Sequence, residues 1–401
     1  MAHKEHPYLS SLCPRRTLCP PETTNQERFI RVSTHPRPKG ARLSAYVNEA
    51  VFTKLPYRKT GLTGMDLVRL GLERSRSAAE ALSVVTGLLE EYGQGGNCSR
   101  SGKLYYHNSF IIADPNEAWV LETAGPYWVA EKVKSVRSIS NALTIHSRWD
   151  KVSRSLLEYL EKKHLEKEEL DFSGHFSDFL YTRIAKGVER QRFTQSFLEK
   201  NAGRLDFEKI SSLMRSHAGD EGYSPARGSM RDICMHAGGL TRPSQTAGSV
   251  IAFLYEKTPI IFATGTSSPC ISLYKPVFIE SGLPDLGPSP TDSYDPQAFW
   301  WIHEELHRKL LASYPRYAAQ IFGEIKEVEE QLVREAIKLR REYLAGTASR
   351  EALYALTERA FKEGLRLDRT WAKIVEKSRS LNPLFNFYWM QMNKKARLHL
   401  S

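Results

Sequence analysis

Cysteine is scarce in this sequence: five residues in 401, at positions 13, 19, 98, 234 and 270. Such uneven spacing in a long chain excludes the disulfide framework that holds small secreted domains together, and a reduced, cytoplasmic protein is expected. No run of eighteen apolar residues occurs, so no membrane-spanning helix is expected. Arg15 and Arg16 are not followed by an apolar stretch, so no secretory signal is expected there. Internal repeats are absent as well. The formal net charge is +11, with its basic excess toward the two ends, and a basic surface attracts nucleic acid. Neither zinc-finger spacing nor an aromatic-basic pattern accompanies the charge, so a solvated helical face is the reading and nucleic acid is not an expected partner.

What is present is a soluble composition, 41% apolar and 26% charged, in a chain long enough to bury a large core. Residues 1–43 mix Pro, Arg, Thr, Ser and His without a hydrophobic period and read as a disordered segment. Order begins at the strand "YVNEAVF". A helix follows from Thr63 as N-cap, then a second capped by Ser77, with Glu80 at the capping-box position, and closed by Gly93. "HNSFIIADPNEAWVLETAGPYWVAEKV" holds three strands split by turn signals, and "RSISNALTI" reads as a fourth. Helices fill residues 149 to about 218. A second strand block runs from "DICMHAG" through "TAGSVIAFL" and "PIIFATG" to "CISLYKPVFIE". Residues 281–296 form a loop, and a charged helical region occupies 297–401. Strands and helices arrive in separate batches, which favours an α+β protein of two antiparallel sheets between helix layers over a doubly wound fold.

Several side chains could carry chemistry. Cys234 and His236, two apart on an expected strand, share a face and can touch; a buried cysteine is otherwise a small hydrophobe. Arg231 can grip a carboxylate with two parallel hydrogen bonds, or form a surface ion pair. Cys98 sits in a loop with only Arg100 near it to lower its pKa, and Cys270 reads as structural. "HEELH", His303 to His307, is a literal H-E-x-x-H: two imidazoles on one helical face with Glu304 as general base, the pattern of a zinc metalloprotease. Glu327 stands as a third ligand in that reading, although this region is rich in glutamate throughout.

The blocks "NEAVFTK", "GLTGMDLVRLGLERS", "EEYGQGGNC", "HNSFIIADPNEAWVLETAGPYWVAEKV", "RSISNALTI", "RGSMRDICMHAGG", "SQTAGSVIAFL" and "TGTSSPCISLYKPVFIE" resemble, in order, the secernin family and its prokaryote-type cysteine dipeptidase relatives among the N-terminal-nucleophile (Ntn) hydrolases. The resemblance runs from about Val47 to the mid-330s. It implies an αββα sandwich, here over residues 44–296, in which an N-terminal cysteine thiolate attacks the amide of a small peptide. No metal or cofactor is implied, and homo-oligomerisation is left open. Asn48 and Asn141 fall where the family places oxyanion-side asparagines, and the block with Arg231, Cys234 and His236 falls where the pocket is shaped. In that family's scheme the HEELH helix is not a metal site.

The sequence departs from the pattern at its start. Cys13 and Cys19 are each followed by proline, which cannot donate in a central strand, and no Asn-Ser-Asp-Arg turn precedes Val47. The nucleophile is therefore not identifiable. The expectation is an impaired dipeptidase with its first strand missing, an unpaired sheet edge and poor solubility. The alternatives are a catalytically silent binding protein and the zinc protease.

Overall fold

The computed structural model describes residues 45–99, 102–219, 222–239, 241–376 and 378–400. Strand β1 (Ala45–Val51) enters helices α1 (Gly64–Arg74) and α2 (Ala78–Tyr92). Thr63 caps α1 in a complete capping box with Asp66. Ser77 caps α2 through the Glu80 N–H, but the Glu80 carboxylate turns to the Arg76 N–H, so that box stays one-sided. Gly93 ends α2 with φ 72°, its N–H donating to the Leu89 carbonyl.

Strands β2 (His107–Ala113), β3 (Ala118–Ala124), β4 (Tyr127–Lys132) and β5 (Lys151–Val152) complete an antiparallel sheet in the order β1-β2-β3-β4-β5. Directly opposed residues share a face. Asn48, Phe110, Leu121 and Ala130 thus line one side, where Phe110, Leu121 and Ala130 pack with Leu67, Val68, Leu82 and Val85 of α1 and α2. On the other side Val51, Val120 and Val129 pack against Ile139, Leu143 and Ile145 and against the helices that follow.

"RSISNALTI" is not the strand expected. Its main-chain N–H groups at Thr144 and Ile145 donate to the buried Glu122 carboxylate at 2.8–2.9 Å. A side chain thus takes the bonds that a neighbouring strand would have taken. The outer edge of β1 has no strand partner among the described residues. Just past its end, the Phe52 carbonyl and Lys54 N–H bond to Asp178 and Phe176.

Helices α3 (Arg154–Lys163), α4 (Phe172–Phe176), α5 (Phe179–Ala185), α6 (Gly187–Lys200) and α7 (Phe207–Arg215) follow, with Lys186 in a left-handed conformation separating α5 from α6. "DICMHAG" is irregular, with a bend at Ile233 and Cys234, and not a strand; Ile233 and Cys234 both donate to the single Ser216 carbonyl. Strands β6 (Val250–Phe253), β7 (Ile260–Ala263) and β8 (Lys275–Val277) form the second antiparallel sheet, with a 3-10 turn at Pro269–Ile271 where strand was expected.

Helices α8 (Phe299–Leu310), α9 (Tyr314–Leu344), α10 (Arg350–Ile374) and α11 (Pro383–Lys395) close the chain. Helices α8 to α10 share one core with the second sheet, where Ile260, Phe262 and Tyr274 pack with Leu306, Ile321, Ile325, Leu367 and Trp371, while Phe385 and Trp389 of α11 pack with Ala226, Ala237 and Leu311. No helix among the described residues is long and apolar enough to cross a membrane.

Candidate functional site

Two buried polar clusters stand out. The first is built on the five-stranded sheet. Asn48 donates its side-chain amide to Asn108 Oδ1 at 3.2 Å, Asn108 donates to Gln94 Oε1 at 3.1 Å, and the Thr123 hydroxyl donates to the same oxygen at 2.9 Å. The first turn of α1 lies so close that any Cβ at Gly64 would collide with Asn48 and Asn108. Asn48 therefore belongs to the helix-facing side of the sheet.

Asn141, 3% exposed, donates to the Ala50 carbonyl at 3.0 Å and accepts from Arg190 Nη2 at 2.6 Å. The Arg190 guanidinium also caps the Ala185 and Met230 carbonyls. Gly187, at the start of α6, leaves no room for a Cβ over the Asn141 backbone. Glu122 lies on the face opposite Asn48. Burial raises its carboxyl pKa, an effect moderated by the Ile145 and Thr144 donors and the Arg137 charge. Arg190 and Glu122 are the residues that the sequence reading missed; a charged residue in a helix or strand gives no sign that its charge is buried.

The cysteines separate clearly. Cys13 and Cys19 lie outside the described residues. Cys98 is half-buried near the Gly96 carbonyl, and burial pushes its thiol up, away from a reactive thiolate. Arg231 is exposed, with its backbone N–H on the Ser229 hydroxyl.

The second cluster lies between α7, "DICMHAG", the Pro269–Ile271 turn and α8. His236 Nε2 is 3.8 Å from Cys234 Sγ, 3.4 Å from Cys270 Sγ and 3.3 Å from His217 Nε2. The structure thus brings the expected pair Cys234 and His236 together and adds Cys270 and His217. Its framework is densely hydrogen-bonded. Buried Arg215 donates to the Pro269 and Ser272 carbonyls at 2.7 and 2.9 Å and forms two bonds to Glu329 at 2.9 and 2.5 Å. Asp232 accepts from the N–H groups of Ala218 and Ser229, and Tyr223 stacks on the His217 ring, centroids 3.7 Å apart.

Burial lowers the His236 pKa against the opposing pull of Cys270. Cys234 is driven above the ordinary thiol range by burial and by Cys270. Burial also acts to raise Cys270, but contacts with Cys234, His236 and His217 outweigh it and hold that thiol well below the usual range.

The HEELH helix is part of this network without forming the expected zinc triad. His303 Nδ1 meets Asp368 at 2.8 Å, while His307 Nε2 meets His236 Nδ1 at 3.1 Å. Glu304 is occupied by Ser267 at 2.6 Å, Arg308 at 2.7 Å, Gln245 at 3.1 Å and His307 at 3.2 Å. Burial would raise its pKa, but His307 and Arg308 hold the carboxyl far below its ordinary value. A carboxylate so held is a poor general base. Glu327 is not in the one group of metal-capable side chains found among the described residues.

Residues 31–181 match the model of Peptidase family C69, which bears out the family-level resemblance from about Val47 to residue 181 and begins earlier than the sequence reading placed it, within residues 1–43. This stretch contains the first cluster apart from Arg190, and none of the second. A curated relative called probable dipeptidase A, from Streptococcus pyogenes serotype M18 (strain MGAS8232), is 23% identical over 234 residues, 50% of this chain and 47% of that protein. Another of the same name, from Streptococcus pyogenes serotype M1, is 23% identical over 239 residues, with the same coverage. The chain spans about half the length of these curated relatives.

Proposed function

We propose that this chain is a C69-type cysteine peptidase acting on small peptides, dipeptides foremost, with an Ntn-hydrolase-like αββα body and a cytoplasmic setting. The observation that carries the reading is the family match over 31–181, the stretch holding β1 to β5, Asn48 and Asn141. In this scheme a cysteine thiolate attacks the peptide carbonyl and its α-amine carries the proton. Side-chain amides and backbone N–H groups hold the oxyanion, and water then releases the acyl group. None of the described cysteines fits the nucleophile's part: Cys98 is a loop thiol with a raised pKa, and Cys234 and Cys270 belong to the second cluster. In this reading turnover by the chain is impaired.

A silent binding protein is the second reading. It is favoured by α5, which exposes Phe179, Leu180, Tyr181 and Ile184, an apolar row of the kind that marks interaction surfaces. The test is amino-acid release from a dipeptide panel by the full chain, followed by mass spectrometry with and without iodoacetamide. Slow release that the alkylating agent abolishes supports the peptidase. Inert, folded protein supports the binding reading, and release indifferent to alkylation overturns the cysteine mechanism.

A further inference from the structure

We propose that His217, Cys234, His236 and Cys270 bind one zinc ion in a closed, structural tetrahedral site. The proposal is independent of the peptidase reading, since all four residues lie outside the segment matched to the family.

Convergence on a single atom carries the argument. His236 Nε2 faces three heteroatoms, from Cys234, Cys270 and His217, at 3.3 to 3.8 Å. An imidazole nitrogen has one lone pair or one proton, so it cannot satisfy all three by hydrogen bonding. A cation among the four donors satisfies every one at once. With Zn–N near 2.0 Å and Zn–S near 2.3 Å, a tetrahedron has N···N edges of about 3.3 Å and N···S edges of about 3.6 Å. The observed separations bracket those edges, and all four donor atoms lie within 4.8 Å of one another.

The surroundings are those of a metal site too. With Nε2 turned to the ion, His236 Nδ1–H donates to His307 Nε2, and His307 Nδ1–H donates to the Glu304 carboxylate. Such a relay fixes the tautomer of a ligand histidine and raises its basicity. Cys234, His236 and Cys270 are buried and His217 is half-buried, so four protein ligands close the shell with no position for substrate. Two soft thiolates and two imidazoles select zinc over magnesium or calcium. Binding displaces the thiol protons to solvent and ties the end of α7 to "DICMHAG" and to the Pro269–Ile271 turn.

The test is metal analysis of the full chain purified without chelators, beside Cys270→Ser, His217→Ala and, as a control, Cys98→Ser. About one zinc per chain is expected in the parent and in Cys98→Ser, falling to near zero in the two ligand variants. Because a ligand variant can fail to fold, cobalt substitution of the parent gives a second readout. Thiolate-to-cobalt charge transfer and intense tetrahedral d–d bands are expected. Parent protein free of zinc that gives no such cobalt spectrum would overturn the site. So would a Cys234–Cys270 disulfide in the non-reduced mass spectrum, or another metal at full occupancy.

Discussion

The two polar clusters are equally buried but differently completed. On the five-stranded sheet the two strongest groups meet matching ones: the Glu122 oxygens take N–H and O–H donors, and Asn141 is held between Ala50 and Arg190. Around His236 three heteroatoms converge on one ring nitrogen, an arrangement that a cation among them would complete. A closed hydrogen-bond network and an open set of ligands can look alike in a burial profile. Only the stoichiometry of lone pairs and protons tells them apart.

The largest effect expected from breaking the comparison is in the second half. Glu329→Gln leaves the Arg215 guanidinium buried without its counter-ion, beside the turn that carries Cys270. A loss of about 3–5 kcal/mol is expected in urea unfolding, together with loss of bound zinc. The exposed Lys326–Glu208 pair makes the contrast, since Lys326→Ala should change stability by less than about 1 kcal/mol.

In the first half the expected cost is that of hydrogen bonds. Glu122→Gln replaces one accepting oxygen with a donor facing the Thr144 and Ile145 N–H groups. About 1–3 kcal/mol should be lost, with zinc content unchanged.

His107 sharpens the same point by titration. Burial lowers its pKa to about 4, and the neutral ring bonds the Thr53 hydroxyl at 2.8 Å. The unfolded chain takes up its proton near pH 6.5, before the folded one does. Stability from this residue is therefore complete above pH 6.5 and declines as pH falls toward 4, by up to roughly 3 kcal/mol. His107→Gln should flatten that part of the pH–stability curve; an unchanged slope would show that folding does not lower the pKa of this ring.

Much of the first half was legible because local rules and tertiary demands agree there. Thr63, Ser77 and Gly93 mark helix ends by chemistry that acts within a few residues, and three strands between turn signals appear where expected. "RSISNALTI" misled because its alternating pattern is met by a buried side chain, Glu122, fixed by pairing elsewhere in the chain. HEELH misled in another way. Helical spacing puts His303 and His307 on one face, but a face is wide enough for one ring to turn to Asp368 and the other to His236. The Cys–His pair was visible at spacing two, whereas His217 and Cys270 are remote in sequence, brought in by contacts such as those of Arg215 that no local pattern records.

The measurement that bears most directly on this contrast is zinc-edge X-ray absorption on the full chain. Two sulfurs at about 2.3 Å and two imidazole nitrogens at about 2.0–2.1 Å are the shell the account requires. An edge signal too weak for one zinc per chain, or a shell of light atoms without sulfur, would contradict it.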